Sequence, residues 1–206
     1  MKQRIDLFPD RAYERLFTLV SEYVPVSDRF RELIYERSYM VSFAKEELLQ
    51  EEGKLCNSLF FIAGGFCASY YSTVTNECIL GFFEEGQFCT SWYSFQSKRK
   101  SFMAIKAVVD TAGVVISYEH YYFLLRECPE FAYVICRVLS NIIQVGEERS
   151  YVLRSRSARG RVQYYKDNHD IYYLMKHVPQ YSIASFLNMT PETFSKIISE
   201  RDKDRK

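Results

Sequence analysis

The pattern of hydrophobic and polar positions changes twice along this 206-residue chain. Up to residue 37 the hydrophobic residues recur every three or four positions, as at Leu16, Phe17 and Val20, and this spacing predicts helices. Ser27 is suited to cap the second of them, because its hydroxyl can accept a hydrogen bond from an N–H group of the first helical turn. The first pattern is therefore helical.

From about residue 39 to residue 118 the chain changes to short runs rich in aromatic and β-branched residues. Turn residues interrupt these runs about every 8–12 positions, a spacing typical of an antiparallel sandwich or small barrel. At Gly53, Gly65 and Gly86 we expect positive φ angles, which glycine adopts without steric cost. Aromatic residues make up 17% of the chain, which agrees with a sheet because flat rings suit a half-buried pleated surface.

A long helical stretch follows Pro129, a residue that suits the first turn of a helix. Its apolar positions step alternately by four and three residues and form a heptad seam, interrupted only by Arg149, that consists of Phe131, Ile135, Val138, Ile142, Val145 and Val152. The seam can pack on the sheet of the same chain. Pairing of two copies of the chain is at least as well supported, because about 35 Å of helix is longer than a small domain needs.

Residues 180–201 carry the pattern of a helix-turn-helix. Ala184 is small at the position where two helices must cross closely, and Asn188 stands at the turn, where positive φ is required. Thr190 is expected to cap the second helix and Pro191 to occupy its first position. The segment therefore predicts two short helices joined by a tight turn.

The second of these helices would enter the major groove of DNA by its N-terminal end. We call this end the reading edge, and it consists of Thr190, Pro191, Glu192, Thr193, Ser195 and Lys196. Glu192 can accept a hydrogen bond from a cytosine amino group, and Lys196 can donate to guanine O6 and N7. Thr190, Thr193 and Ser195 are expected to bond phosphates.

The net charge of +1 hides an uneven distribution. Residues 1–148 contain 15 Lys and Arg against 20 Asp and Glu, a net charge of −5. Residues 149–206 contain 12 against 6, a net charge of +6. A basic C-terminal quarter on an acidic body favours contact of that quarter with a polyanion.

Together these parts resemble the Crp/Fnr superfamily of bacterial transcription regulators over nearly the whole chain. The matching positions are residues 46–49, Gly53, residues 59–65 and residues 82–88 for the roll, and Ile183, Ala184, Leu187 and residues 190–196 for the helix-turn-helix. The resemblance is strongest to the short-tailed members of the family, because few residues follow the second helix of the helix-turn-helix.

The resemblance implies an α+β fold with three parts. These are a cyclic-nucleotide-binding-like, antiparallel β-roll of the jelly-roll or cupin-like kind flanked by helices (residues 1–127), a long dimerisation helix (128–153) and a helix-turn-helix DNA-binding domain (154–206). It also implies a homodimer that binds a palindromic site in double-stranded DNA and contacts RNA polymerase.

The expected effector pocket departs from the family pattern. Members that bind cyclic nucleotides carry Gly-Glu, followed about nine residues later by Arg-Ser, and these side chains hold the ribose and the cyclic phosphate. This chain has Thr90-Ser91 and Lys100-Ser101 there, and the candidate pocket residues are Ser91, Arg99, Lys100, Ser101, Gly146 and Glu147. Lysine carries a point charge and cannot form the two parallel hydrogen bonds with which an arginine binds a phosphate. We therefore expect weak or no binding of cyclic AMP, and either another small-molecule effector or none.

Other chemistries find little support in the sequence. The six cysteines are spread singly, the first being Cys56, and no histidine precedes His120. A cupin-type enzyme needs histidines within the roll to hold its metal, so we expect neither enzyme activity nor a metal or other cofactor. The remaining alternative is a dimeric adaptor whose helix-turn-helix binds protein.

The location of the protein is inferred from two absences. No apolar run approaches the roughly 18 residues of a membrane span. Residues 1–6 lack the apolar stretch of a signal peptide. We therefore expect the protein in the cytoplasm, with no membrane contact.

Overall fold

The computed structural model describes residues 9–74 and 76–202, so residues 1–6, on which the signal-peptide argument depended, lie outside the described residues. The helices are α1 (Pro9–Ser21), α2 (Asp28–Arg37), α3 (Trp92–Ser97), α4 (Tyr118–Glu127), α5 (Pro129–Ser155), α6 (Ala158–Asn168), α7 (Ile171–His177), α8 (Gln180–Phe186) and α9 (Pro191–Asp202). The strands are β1 (Ser38–Phe43), β2 (Leu48–Gln50), β3 (Ser58–Gly64), β4 (Phe66–Ser72), β5 (Glu77–Glu84), β6 (Phe88–Cys89), β7 (Ala104–Ala107) and β8 (Thr111–Ser117). The predicted α+β fold class is confirmed.

Two four-stranded sheets, ordered β1–β8–β3–β6 and β2–β7–β4–β5, form the roll. Strand β8 pairs antiparallel with both β1 and β3, so that Val114 lies opposite Met40 on one side and Phe61 on the other. The strands approach closely at Gly113, where a Cβ atom would overlap the carbonyl oxygen of Phe61. The positive φ angles expected at the turn glycines are confirmed, with 80° at Gly53, 111° at Gly65 and 85° at Gly86.

The first sheet buries a different set of side chains on each face, because successive residues of a strand point to opposite sides. Its outer face contributes Leu59, Phe61, Val114 and Ile116 to a cluster with residues of α1, α2, α4 and the first turns of α5. Its inner face contributes Phe60, Cys89 and Val115 to a smaller cluster with Cys67 and Ile105 of the second sheet. The outer cluster is the main hydrophobic core of the roll.

The predicted helix signals are also confirmed. The backbone N–H of Phe30 donates to Ser27 Oγ at 3.1 Å, so Ser27 caps α2 as its position suggested. Pro129 is the first residue of α5, the longest helix of the described residues. Ser157 caps α6 in the same way as Ser27 caps α2, through a 3.2 Å bond from the N–H of Gly160.

The chain divides into two compact units. The roll unit comprises the described residues up to Ser69 and Phe82–Asn141, and the helical unit comprises Tyr70–Gly81 (apart from residue 75) and the described residues from Ile142. The division therefore falls inside α5, and the tip of the β4–β5 hairpin belongs with the C-terminal helices. The functional division at residues 127 and 153 stays a prediction.

Candidate nucleic-acid interface and effector pocket

Helices α8 and α9 form the helix-turn-helix that residues 180–201 predicted. Asn188, between the two helices, has a φ angle of 52°, the left-handed conformation expected at the turn. The N–H of Thr193 donates to Thr190 Oγ1 at 3.2 Å, so the predicted cap on α9 is confirmed. The N–H of Met189 donates to the carbonyl of Ala184 at 3.0 Å and closes the turn.

The two helices are held together by fully buried apolar side chains. Ile183 and Ala184 of α8, Leu187 of the turn and Phe194 of α9 are each at most 1% exposed. The methyl group of Ala184 lets the helices approach closely, as its size suggested. Because these residues occupy the inner face, the opposite side of α9 is left to solvent.

The reading edge lies on that solvent-facing side. Thr190, Pro191, Glu192, Ser195 and Lys196 are exposed, and Thr193 is half-buried. The Oγ1 atoms of Thr190 and Thr193 lie 3.1 Å apart. Lys196 Nζ is 3.9 Å from the Glu200 carboxylate on the next turn, and its side chain is 78% exposed. Lys196 is therefore free to reach an external acceptor.

The Glu192 carboxylate stands over the N-terminus of α9. Its pKa is lowered by a backbone N–H of this helix end and by the hydroxyl of Thr190. The carboxylate is therefore ionised at neutral pH and can only accept hydrogen bonds. The position of Glu192 therefore suits a partner that donates a hydrogen bond.

Three hydrogen bonds and a cation–π contact that the sequence did not reveal hold α8 in the helical unit. Arg149 of α5 donates to the carbonyl of Phe186 at 3.0 Å and lies over its ring at 4.8 Å. The N–H of Ile79 donates to Ser185 Oγ at 2.9 Å, and the Ser185 hydroxyl donates to the carbonyl of Glu77 at 3.3 Å. Ser185 thus ties α8 to the β4–β5 hairpin, about 106 residues away in sequence.

In the roll unit, the two pocket serines bond each other. Ser91 and Ser101 are buried, and their Oγ atoms lie 2.8 Å apart. Ser101 Oγ is also 2.6 Å from the carbonyl of Met103. Nearby, Ser94 accepts from the N–H of Cys56 at 2.9 Å and donates to the carbonyl of Arg99 at 2.5 Å. The hydroxyl groups of Ser91, Ser94 and Ser101 are thus bonded within the loop and its neighbours.

The predicted pocket cations face solvent. Arg99 and Lys100 are exposed, and Lys100 pairs through its backbone with Leu55. The neighbouring Lys98 has a φ angle of 56°, and its Nζ lies 3.2 Å from Asn57 Oδ1. The structure therefore brings Ser91 and Ser101 together but leaves the cations at the surface. Gly146 and Glu147 belong to the helical unit and are exposed.

Most positions of the predicted seam of α5 are covered by their own chain, and the use of the seam between two copies stays a prediction. Phe131 and Ile135 are 2% exposed in the core of the roll unit, and Val152 is fully buried. Val138 packs partly against the same core, and Ile142 is half-buried. Val145, at 50% exposure, is the one seam position that is exposed, because the other positions face their own chain.

The described residues offer little for other chemistry. Among them no group of three or more His, Cys, Asp and Glu side chains is placed to hold a metal ion. Burial raises the pKa of the Cys67 thiol to about 12 and raises that of Cys89 as well, so both stay protonated. In the same part of the chain, no helix combines the length and apolarity needed to cross a membrane.

Among the comparisons with known proteins, the one with solved structures found similar chains. No family model matches the chain, and no curated protein does. The structure of FixK2 from Bradyrhizobium japonicum is 16% identical, with a TM-score of 0.66 over 81% of this chain and 85% of its own. The c-di-GMP-responsive regulator CLP from Xanthomonas campestris is 17% identical, with a TM-score of 0.69 over 84% and 90%. A Crp/Fnr-family transcriptional regulator from Eubacterium rectale is 13% identical, with a TM-score of 0.66 over 89% and 88%.

Proposed function

We propose that this chain, whose fold is that of the Crp/Fnr regulators, is a cytoplasmic, homodimeric transcription regulator that binds a specific DNA sequence. The observation that carries the proposal is the exposed N-terminal end of α9, presented on a helix-turn-helix whose inner face is fully buried. Such a helix places its first residues against base edges in the major groove. The similar structures are transcription regulators rather than enzymes, which agrees with this role.

Each residue of the reading edge has a role that fits its geometry. The exposed ammonium of Lys196 donates to guanine O6 and N7, and the ionised Glu192 accepts from a cytosine amino group. Thr190 and Ser195 are exposed on either side and bond phosphate oxygens. Thr193 is half-buried and its hydroxyl lies 3.1 Å from that of Thr190, so its contact with phosphate is the most restricted.

The dimer is proposed to form through α5, at the part of the predicted seam that its own chain leaves uncovered. Val145 of the seam is 50% exposed, Ile142 is half-buried, and the neighbouring Ile143 is 60% exposed. Exposed aliphatic residues at the middle of a long helix favour a helical partner, and a second copy supplies one by symmetry. Two reading edges about 34 Å apart would then face successive major grooves of a palindromic site.

The roll is proposed to bind cyclic AMP weakly or not at all. No glutamate replaces the expected ribose ligand, since Ser91 stands at that position and is bonded to Ser101. Arg99 and Lys100, the cations available for a cyclic phosphate, are exposed. Calorimetry with cyclic AMP at millimolar concentration is expected to give no heat of binding. A low-micromolar dissociation constant would contradict this part of the proposal.

Selection of DNA from a random oligonucleotide pool tests the main proposal. The full chain is expected to enrich one palindromic sequence and to bind it with an affinity that falls steeply between about 50 and 200 mM salt. The log–log slope should be about −0.9 per phosphate contacted. An adaptor that binds protein would enrich no sequence and would show a flat salt response. The contact with RNA polymerase that the resemblance implies is then testable on the selected site.

A further inference from the structure

One carboxylate of α9, that of Glu200, lies between two cations of the helical unit. Glu200 belongs to the last turn of α9, and its side chain is 38% exposed. Arg159, in the first turn of α6, donates to one of its oxygens. The other oxygen lies 3.9 Å from Nζ of Lys196, one turn earlier on α9. Glu200 therefore connects α6 with the lysine of the reading edge.

The positions of Arg159 and Glu200 are unfavourable when each helix is considered alone. An α-helix carries a partial positive charge at its N-terminus and a partial negative charge at its C-terminus, so anions suit the first turn and cations the last. Arg159 stands in the first turn of α6, and Glu200 stands in the last turn of α9. Helix stability alone therefore gives no reason for these charges, whereas their partners in space do.

Glu200 also weakens the general attraction of the helical unit for DNA. Residues 149–206 carry a net charge of +6, which attracts phosphates irrespective of the base sequence. The Glu200 carboxylate offsets part of the charge of Arg159 and Lys196, and it repels phosphates itself. Such a residue is useful to a sequence-specific protein if it weakens binding to wrong sequences more than binding to the right one.

We propose that Glu200 is a positioning residue for Lys196 and raises the specificity of DNA binding. This role rests on the proposed function, because it requires Lys196 to contact guanine. A lysine side chain is long and flexible, and its charge attracts phosphates as well as bases. Glu200, which is held by Arg159, attracts the ammonium towards α9 and so opposes its movement to a phosphate.

The distance between Lys196 and Glu200 suits this role. At 3.9 Å the two atoms are too far apart for a hydrogen bond, so Glu200 uses none of the N–H donors of the ammonium. The carboxylate still attracts the positive charge at this distance. On the matching sequence, Lys196 can donate to guanine O6 and N7 and keep Glu200 as its neighbour. On a sequence without that guanine, the ammonium reaches a phosphate only by leaving Glu200.

Glu200→Gln tests this role on the full chain, with the selected site and a scrambled site. The amide keeps the size of the side chain and removes its charge, so Lys196 becomes free to bind phosphates. We expect the ratio of the two affinities to fall about two- to fivefold, the factor that an exposed ion pair supplies. The log–log salt slope on the scrambled site should steepen by about 0.9, the value for one more phosphate, while the slope on the selected site stays unchanged.

Asp167→Asn is the matched control. Asp167 is an exposed carboxylate of α6 in the same unit, and Gln163 donates to it. The variant changes the net charge by the same amount as Glu200→Gln, and its amide oxygen can still accept from Gln163. It should change binding to the two sites by one common factor and leave their ratio within about 1.5-fold of the parent.

A charge swap separates positioning of Lys196 from a purely structural ion pair. Arg159→Glu combined with Glu200→Arg restores an ion pair between α6 and α9 but places a cation beside Lys196. The double variant should be at least as stable as the parent in urea denaturation, because each charge now suits its helix end. Its affinity ratio should nevertheless fall at least as far as that of Glu200→Gln. A swap that keeps the parent ratio would overturn the proposed role, since the pair would then only hold α6 to α9.

The remaining outcomes distinguish this role from the proposed function. If the parent enriches a sequence and Glu200→Gln keeps its affinity ratio, or if both salt slopes steepen equally, Glu200 does not position Lys196 and sequence-specific binding is unaffected. If the parent enriches no sequence, both proposals are wrong. A lower ratio with a steeper slope on the scrambled site alone is the result that supports the role of Glu200.

Discussion

The helix-turn-helix and the effector pocket use the same kinds of side chain in opposite ways. At the N-terminus of α9, Thr190 caps the helix and the groups around it remain exposed to an external partner. At the N-terminus of α3, Ser91 makes no side-chain cap and is buried against Ser101. Polar groups that have partners within the protein gain little from a ligand, whereas exposed ones retain their bonding capacity. The comparison indicates that the polar groups of the reading edge are open to an external partner, whereas Ser91 and Ser101 of the candidate effector pocket bond each other.

Removal of the Phe194 side chain should cause the largest loss of stability in the helix-turn-helix. This ring is fully buried between α8 and α9, so Phe194→Ala leaves a cavity and is expected to cost about 3–5 kcal/mol of unfolding free energy. Urea denaturation measures it. Tyr181→Ala, at a position of α8 that is 57% exposed, is the control and should stay within about 0.5 kcal/mol of the parent. Equal losses in the two variants would contradict the described core.

Ser185→Ala tests the tie between α8 and the hairpin. The variant removes the acceptor of the Ile79 N–H and the bond from Ser185 to the carbonyl of Glu77, so we expect a loss of about 1–2 kcal/mol in urea denaturation. Ser199→Ala removes an exposed hydroxyl that bonds only its own helix, and it should change stability by less than about 0.5 kcal/mol. If Ser185→Ala does not change the stability, the hairpin does not support α8.

Thr190→Ala tests the cap on which the reading edge depends. Loss of the 3.2 Å bond to the N–H of Thr193 is expected to cost about 1 kcal/mol. Thr190→Ser keeps the hydroxyl and should restore most of that stability, which separates capping from side-chain packing. If serine and alanine destabilise equally in thermal denaturation, the hydroxyl does not cap α9.

The smallest expected effect concerns pH. The Tyr164 hydroxyl donates to Glu148 Oε1 at 2.6 Å, and this bond lowers the pKa of the Glu148 carboxyl. Because the folded-state pKa lies below the unfolded one, the stabilisation is present at neutral pH and is lost as the pH falls through the lowered folded-state pKa. For a partly exposed pair we expect about 0.5 kcal/mol.

Glu148→Gln should therefore lower the unfolding free energy slightly at pH 7 and converge with the parent only at acidic pH, below the lowered folded-state pKa of the carboxyl. The exposed neighbour Glu147 gives the control Glu147→Gln, which should follow the parent at both pH values. A deficit in Glu148→Gln that persists unchanged to low pH would show that the carboxylate charge is not involved.

The helix-turn-helix of α8 and α9 was well predicted from the sequence, because the residues that indicate it lie close together in the chain. Asn188 at the turn, the cap on Thr190 and small Ala184 at the crossing all act within about ten residues of one another, so residue type and spacing suffice. The contacts of Ser185 with the β4–β5 hairpin could not be predicted, because they join residues about 106 positions apart.

The α5 seam shows a second limit of prediction from the sequence. A heptad pattern identifies the apolar face of a helix but not which surface covers it. Phe131 and Ile135 follow the pattern and are buried in their own roll unit, whereas Ile143 lies outside the seam and is exposed.

The most direct test of the central claim compares Lys196→Ala with Lys176→Ala on the selected DNA site and on a scrambled site at one salt concentration. Lys196 is on the reading edge, and Lys176 is an exposed lysine at the end of α7. Lys196→Ala is expected to lower the ratio of the two affinities about 10- to 100-fold, the effect of one lost base contact, while Lys176→Ala leaves that ratio within about twofold. If both variants lower binding to the two sites equally, or if neither changes it, α9 does not read the DNA sequence and the proposed function is wrong.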